Sequence, residues 1–121
     1  MDHRQLVRAL AAGRVAVGTA LTVAPGVTGR TWIGPTARDR KVKVMIRAMG
    51  GRDLAMGLGT LQALDRGHDV RSWVALSALC DAIDATATVL ALRRLGPRAL
   101  PVLVTATAAA VAGAASIEHL D

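Results

Sequence analysis

Four apolar stretches alternate along the chain with short breaks rich in glycine, proline or charge, and their length and period predict four helices at about 5–24, 39–64, 72–93 and 100–119. Pro25-Gly26 ends the first, because proline withdraws a backbone donor and the pair favours a turn. The next segment carries Gly29, Trp32, Gly34 and Pro35 and reads as an interfacial loop to Ala37. Arg38-Asp39-Arg40-Lys41 opens the second helix, which runs to about Leu64. Asp65-Arg66-Gly67-His68-Asp69 breaks the pattern, Ser72 is placed to cap the third helix, and Gly96-Pro97 ends it near Arg93. Small residues recur every fourth position at Gly51, Ala55 and Gly59 and again at Ala106, Ala110 and Ala114, ridges that let a second backbone come close. No repeat or second domain interrupts residues 1–121.

Each predicted helix is long enough to cross a bilayer, which needs about 20 residues. Residues 99–117 hold no charge across 19 positions. Composition agrees: 52% of residues are hydrophobic and twelve glycines bring the apolar share to about 62%, against about 45 to 50% for a soluble domain. Phe and Tyr are absent, so the excess is Ala, Val, Leu and Gly, which suit tight helix contact in lipid. The expected class is all-α, a four-transmembrane-helix bundle forming one integral membrane domain. A soluble four-helix bundle is the alternative that 20% charged residues would permit. Arg14 interrupts the first apolar stretch and Pro25 follows its small-residue exit, so the first helix is expected to remain attached rather than to be a cleaved signal.

Four spans put both termini and the 65–71 turn on one side. Arg4, Arg8, Arg66 and Arg71 lie there, against Arg30, Arg38, Arg40, Lys41, Lys43, Arg93, Arg94 and Arg98 on the other. The positive-inside bias then places the termini outside and loops 25–38 and 94–99 in the cytoplasm. The net charge of +6 is largely this inner collar, whose simplest partner is an anionic lipid headgroup. Nucleic acid is not expected, since the basic residues flank spans and two tryptophans are the only aromatics. Cys80 is the single cysteine, which excludes an intrachain disulfide and reads as helix packing.

Charges inside the spans change the picture most. Counted at about 1.5 Å per residue from the outer helix ends, Arg14 and Asp81 fall roughly 12 Å deep, Asp53 and Asp84 roughly 16 Å, and Arg52 roughly 18 Å. Charges at such depth normally face protein or a water-filled cavity. Ser77, Asp81, Asp84 and Thr88 follow one another at helical spacing and define one polar face. Arg47, Arg52 and Asp53 point in three directions, so either Arg47 reaches the inner interface or the second helix is surrounded by protein in a homo-oligomer. One expectation is a salt-bridge network that only sets helix register. The other is a polar cavity in which Asp53, Asp81 and Asp84 are candidate acid–base groups and Arg14, Arg52, Arg47, Ser77 and Thr88 candidate ligand-binding groups.

Sharper motifs fail on inspection. Asp81-x2-Asp84 lacks the following Gly and Ala-Arg, and the second Asp pair, of the membrane phosphatidyltransferase signature. Gly57-Leu-Gly59 lacks the third glycine and strand of a dinucleotide site. His3, His68 and His119 share a side without ligand-like spacing, so no metal is expected, nor any cofactor. Gly50-Gly51 ahead of Arg52-Asp53-Leu54, with Arg47 before them, Trp73 opening the third helix and Asp81-x2-Asp84 within it, resembles a group of small four-helix integral membrane proteins common in actinobacteria and described only as a domain of unknown function. The resemblance covers essentially the whole chain. It implies the four-helix membrane fold and brings no activity, cofactor or partner.

Three functions are compatible with this reading. The first is a polytopic membrane protein whose Arg/Asp cluster lines an intramembrane pocket for a small or lipid-derived ligand. Second is a membrane-embedded acid–base enzyme acting on an apolar substrate such as an epoxide, with Asp81, Asp84 and Arg52 at its centre. The third is an accessory subunit of a membrane complex, with purely structural charges. A small multidrug transporter of similar length would carry an acidic residue in its first span, where this chain has Arg14.

Overall fold

The computed structural model describes residues 2–120 and is helical throughout, with four long helices joined by short turns. Helix α1 spans His3–Val23, and two one-turn helices, α2 (Pro25–Thr28) and α3 (Arg30–Ile33), follow it. A 3-10 turn over Gly34–Arg38 leads into α4 (Arg40–Arg66). Then come α5 (Val70–Leu95), a 3-10 turn at Pro97–Ala99, α6 (Leu100–Ser116) and a last 3-10 turn at Ile117–His119. Three segments, His3–Val23, Val70–Leu95 and Pro97–His119, are long and apolar enough to cross a membrane. Helix α4 is the longest at 27 residues but carries Arg40, Lys41, Lys43, Arg47, Arg52, Asp53, Asp65 and Arg66.

Local chemistry accounts for the helix ends. Asp2 and Gln5 form a capping box at α1, with Asp2 Oδ1 accepting from Gln5 N at 2.7 Å. Asp39 Oδ1 accepts from Lys41 N and Val42 N at the start of α4. Gly67, at φ 72°, takes the left-handed conformation that closes α4. Ser72 is not the cap of α5: the helix starts two residues earlier, at Val70, behind Asp69 in the left-handed region at φ 58°. The 26–37 segment is likewise helical rather than a loop. Thr28 Oγ1 donates to Ala20 O and Ile33 N to Gly29 O, so the chain folds back on α1 over a fully buried Ala37.

The long helices run alternately up and down, and two pairings dominate. Helix α1 packs along α4, and α5 packs on α6. At the end bearing the termini, Val7, Ala63, Leu64, Val70, Val74 and Leu120 form an apolar cluster with Trp73 and Ile117. Leu21, Ala37 and Ile46 form a second cluster at the opposite end, where the basic residues collect. The α1–α4 contact is backbone on backbone. A Cβ at Gly50 would stand 2.8 Å from both Gly18 O and Thr22 N; one at Gly57 would stand 2.8 Å from Ala11 O. The expected ridge of Gly51, Ala55 and Gly59 is therefore displaced by one face. Gly51 and Ala55 are exposed, and Gly59 lies against the Trp73 ring. On α6 the inward face is Val102, Ala106, Ala109, Gly113 and Ser116, with Ala114 exposed.

These contacts predict unequal tolerance at neighbouring glycines. Gly50→Ala or Gly57→Ala drives a methyl into the backbone of α1 and should lower unfolding free energy in mixed micelles by roughly 1 to 3 kcal/mol. Gly51→Ala meets nothing within 4 Å and should be neutral or slightly stabilising. Equal losses at Gly50 and Gly51 would show that the two helices do not meet on the Gly18–Gly50–Gly57 face.

Candidate functional site

Between the two apolar clusters lies a layer of five charges from three helices. Asp81 and Asp84 occupy the inner face of α5 one turn apart, Arg52 and Asp53 adjoin each other on α4, and Arg14 projects from α1. Arg14 Nη1 donates to Asp53 Oδ1 at 2.9 Å, and its Nη2 donates to Asp81 Oδ2 and, at 3.5 Å, to Ser77 O. Arg52 grips Asp84 with both Nη atoms, at 3.1 and 2.6 Å, and its Nη2 also reaches Asp53 Oδ1 at 3.2 Å. The result is one alternating chain: Asp81, Arg14, Asp53, Arg52, Asp84. Asp53 sits at its centre, one oxygen accepting from both guanidiniums.

The geometry follows from the helices. Successive residues point about 100° apart, so Asp53 can face α1 while Arg52 starts on a different side and uses its length to reach across to α5. The planar fork of arginine matches a carboxylate edge, which gives Arg52–Asp84 two parallel bonds. Side chains of Arg14, Asp53 and Asp81 are only 11 to 12% exposed, whereas Arg52 is 31% exposed. Two buried polar atoms in the layer, Arg52 Nε and Ser77 Oγ, have no protein partner.

Of the candidate residues, five join this chain and three do not. Ser77 contributes its carbonyl to Arg14 and stands on the wall of the adjacent cavity. Thr88 is buried one turn beyond Asp84 and donates back to Asp84 O at 2.7 Å, a bond internal to its helix. Arg47 stands apart: it is exposed, and its Nε donates to Thr22 O near the end of α1. Without it the layer holds two guanidiniums against three carboxylates. The histidines do not converge on a metal site. His3 and His119 stack face to face with centroids 3.9 Å apart, His119 Nδ1 lies 3.2 Å from Ala115 O, and no group of three or more potential ligands exists among the described residues.

Next to the charge layer is a cavity of about 540 Å³. Its walls are mostly aliphatic, including Leu10 and Val17 of α1 and Val102 and Ala109 of α6, and Arg14, Asp53, Asp81 and Asp84 line one part of it. Sequence spacing locates the charges but not this cavity. It exists because α1 and α6 barely touch while each is held by its own partner helix. Exposed lining residues on both helices, Ala9, Gly13 and Val17 on one and Pro101 and Thr105 on the other, show that the cavity opens sideways between them.

The ion pairs also bridge the two helix pairs. Arg14→Met strands Asp53 and Asp81 and should lower unfolding free energy by roughly 3 to 5 kcal/mol, whereas Arg14→Met with Asp81→Leu should recover part of that loss. Arg47→Gln should change stability by less than about 0.5 kcal/mol. Denaturant titration in mixed micelles reads all three; a single-site loss no larger for Arg14 than for Arg47 would refute the bridging role.

Comparison with protein-family models, curated proteins and solved structures finds no match to this chain.

Proposed function

We propose that this is a four-span membrane protein whose lateral cavity binds a lipid-derived amphiphile. The observation that carries the reading is the cavity of about 540 Å³ open between α1 and α6, aliphatic on most of its wall and charged at Arg14, Asp53, Asp81 and Asp84. Apolar lining with a few convergent polar groups is the usual composition of a small-molecule site. A sideways opening between two membrane-crossing helices faces acyl chains, so ligands dissolved in the bilayer reach it directly. Helix α4 serves as the fourth span: it lies along α1, and its mid-helix charges Arg52 and Asp53 are paired within the protein.

The charge balance selects the polar end of the ligand. Three carboxylates against two guanidiniums leave one formal negative charge, so an amine or hydroxyl head is favoured over a carboxylate or phosphate. The unpartnered Ser77 Oγ adds a hydrogen-bonding group on the same wall. An acid–base enzyme would need a carboxylate free to exchange a proton, and every carboxylate in the layer already accepts from a guanidinium. That pairing supports a structural duty for the charges alongside binding.

Photo-crosslinking tests this reading. A diazirine-tagged stearylamine should label peptides of α1 and α6 in preference to diazirine-tagged stearic acid, and Gly13→Leu should suppress the labelling by filling the opening. Asp84→Asn should keep the fold, since Arg52 retains Asp53, but remove the preference for the amine. Equal labelling of the Gly13→Leu protein would refute the cavity reading, and failure of Asp84→Asn to fold would make that charge structural.

The basic collar supports cytoplasmic loops at 25–38 and 94–99 with both termini outside. In a Cys80→Ala background, His68→Cys should react with an impermeant maleimide on intact cells and Thr36→Cys should not. The reverse pattern would invert the topology.

A further inference from the structure

At the basic end, a second and separate cleft of about 480 Å³ is lined by Arg30 of α3, Arg38 of the following turn, and Lys43 and Arg47 of α4. The rest of its wall is Val23 to Val27, the point where the chain leaves α1. None of the four cations meets a carboxylate: the ion pairs among the described residues are Arg8–Asp65 and those of the central layer. Lys43 lies across Gly26, where a Cβ would come within 3.0 Å of its Cε, so the absent side chain leaves room for the lysine over the cleft wall. Four uncompensated cations converging from three elements repel one another, and an anion among them removes that repulsion while accepting charge-assisted hydrogen bonds.

Depth narrows the choice of anion. Helix α1 is apolar enough to span a membrane and ends at Val23, on the wall of this cleft. Val23 and Val27, 74% and 76% exposed, stand beside the cations, a juxtaposition of aliphatic and cationic surface that matches the level where lipid phosphates meet acyl chains.

We infer that Arg30, Arg38, Lys43 and Arg47 form a discrete binding site for a phosphate ester anion, distinct from the amphiphile cavity and independent of what occupies it. The two sources of that chemistry are an anionic phospholipid headgroup and a soluble phosphate ester, and the position beside Val23 and Val27 favours the lipid.

Native mass spectrometry of the full chain in detergent, titrated separately with phosphatidylglycerol, phosphatidylcholine and glycerol 3-phosphate, tests the site. Wild type should take up one phosphatidylglycerol at concentrations where phosphatidylcholine does not bind. Arg30→Gln with Lys43→Gln should weaken that uptake about tenfold or more, through loss of two charge-assisted contacts. A control on the same end, Arg93→Gln with Arg94→Gln, removes the same charge from outside the cleft and should leave uptake within about twofold. Uptake of glycerol 3-phosphate as tight as that of the lipid, with the same sensitivity to the cleft pair, assigns the site to a soluble ester. Equal uptake by wild type and cleft variant, or an equal loss in the control, overturns the proposal. Circular dichroism of each variant confirms that the helices persist.

Discussion

The chain of ion pairs from Asp81 through Arg14, Asp53 and Arg52 to Asp84 ties the middles of the two helix pairs together. Within each pair, aliphatic and backbone contact suffices. Between the pairs, apolar contact gathers at the end of the termini, where Val7, Ala63 and Leu64 meet Val70, Val74 and Leu120, and the middle is bridged by charge. In an apolar surrounding this is a strong tie and a selective one, because breaking it leaves carboxylates or guanidiniums without a partner and without water. Register therefore matters: Asp53 serves two arginines from different helices, and a slip of one residue in α4 would turn its carboxylate about 100° away from Arg14.

The same layer explains why a cavity survives beside it. A fully aliphatic core would close by adjusting rotamers until the voids were filled. Here Arg14 and Arg52 bridge to α5, whereas α6, which carries no charge within Leu100–Ser116, takes no part in the ion pairs and meets α1 at the end of the termini, where His3 Nδ1 and Ser116 Oγ lie 3.3 Å apart. The polar wall of the cavity and the structural tie thus draw on the same side chains. The basic cleft shows the opposite arrangement: Arg30, Arg38, Lys43 and Arg47 line it, and none of them joins the ion pairs found among the described residues.

Much of this was legible in the sequence. The helices announce themselves by apolar period and by their breaks at Pro25-Gly26, Asp65–Asp69 and Gly96-Pro97. Counting depth along the helices brings Arg14, Arg52, Asp53, Asp81 and Asp84 into one layer from the sequence alone. What could not be read is what depends on rotation about a helix axis. Spacing of four identifies Gly51, Ala55 and Gly59 as a ridge, yet Gly50 and Gly57, seven apart, are the ones that meet α1, Gly50 against Gly18 and Thr22 and Gly57 against Ala11 and Val15. Glycine and proline density made 26–37 look like a loop, whereas Gly29 is small to fit under Ile46 and only Gly34 needs a positive φ. Charge count makes Arg47 a sixth member, and only the fold shows that its Nε donates to Thr22 O and that it lines the basic cleft instead. The cavity has no linear signal, since it depends on the gap left between α1 and α6, which touch little.

The glycine seam between α1 and α4 has a mechanical consequence. Where one backbone lies directly on another there are no long side chains to compress or re-rotamerise, so the two helices behave as a single stiff plank. Helices α5 and α6 also meet through small residues, with Gly113 against Ala78 and Val74, and form a second plank. The give in the structure therefore lies in the arginine side chains that reach across to α5, not in the α1–α4 seam.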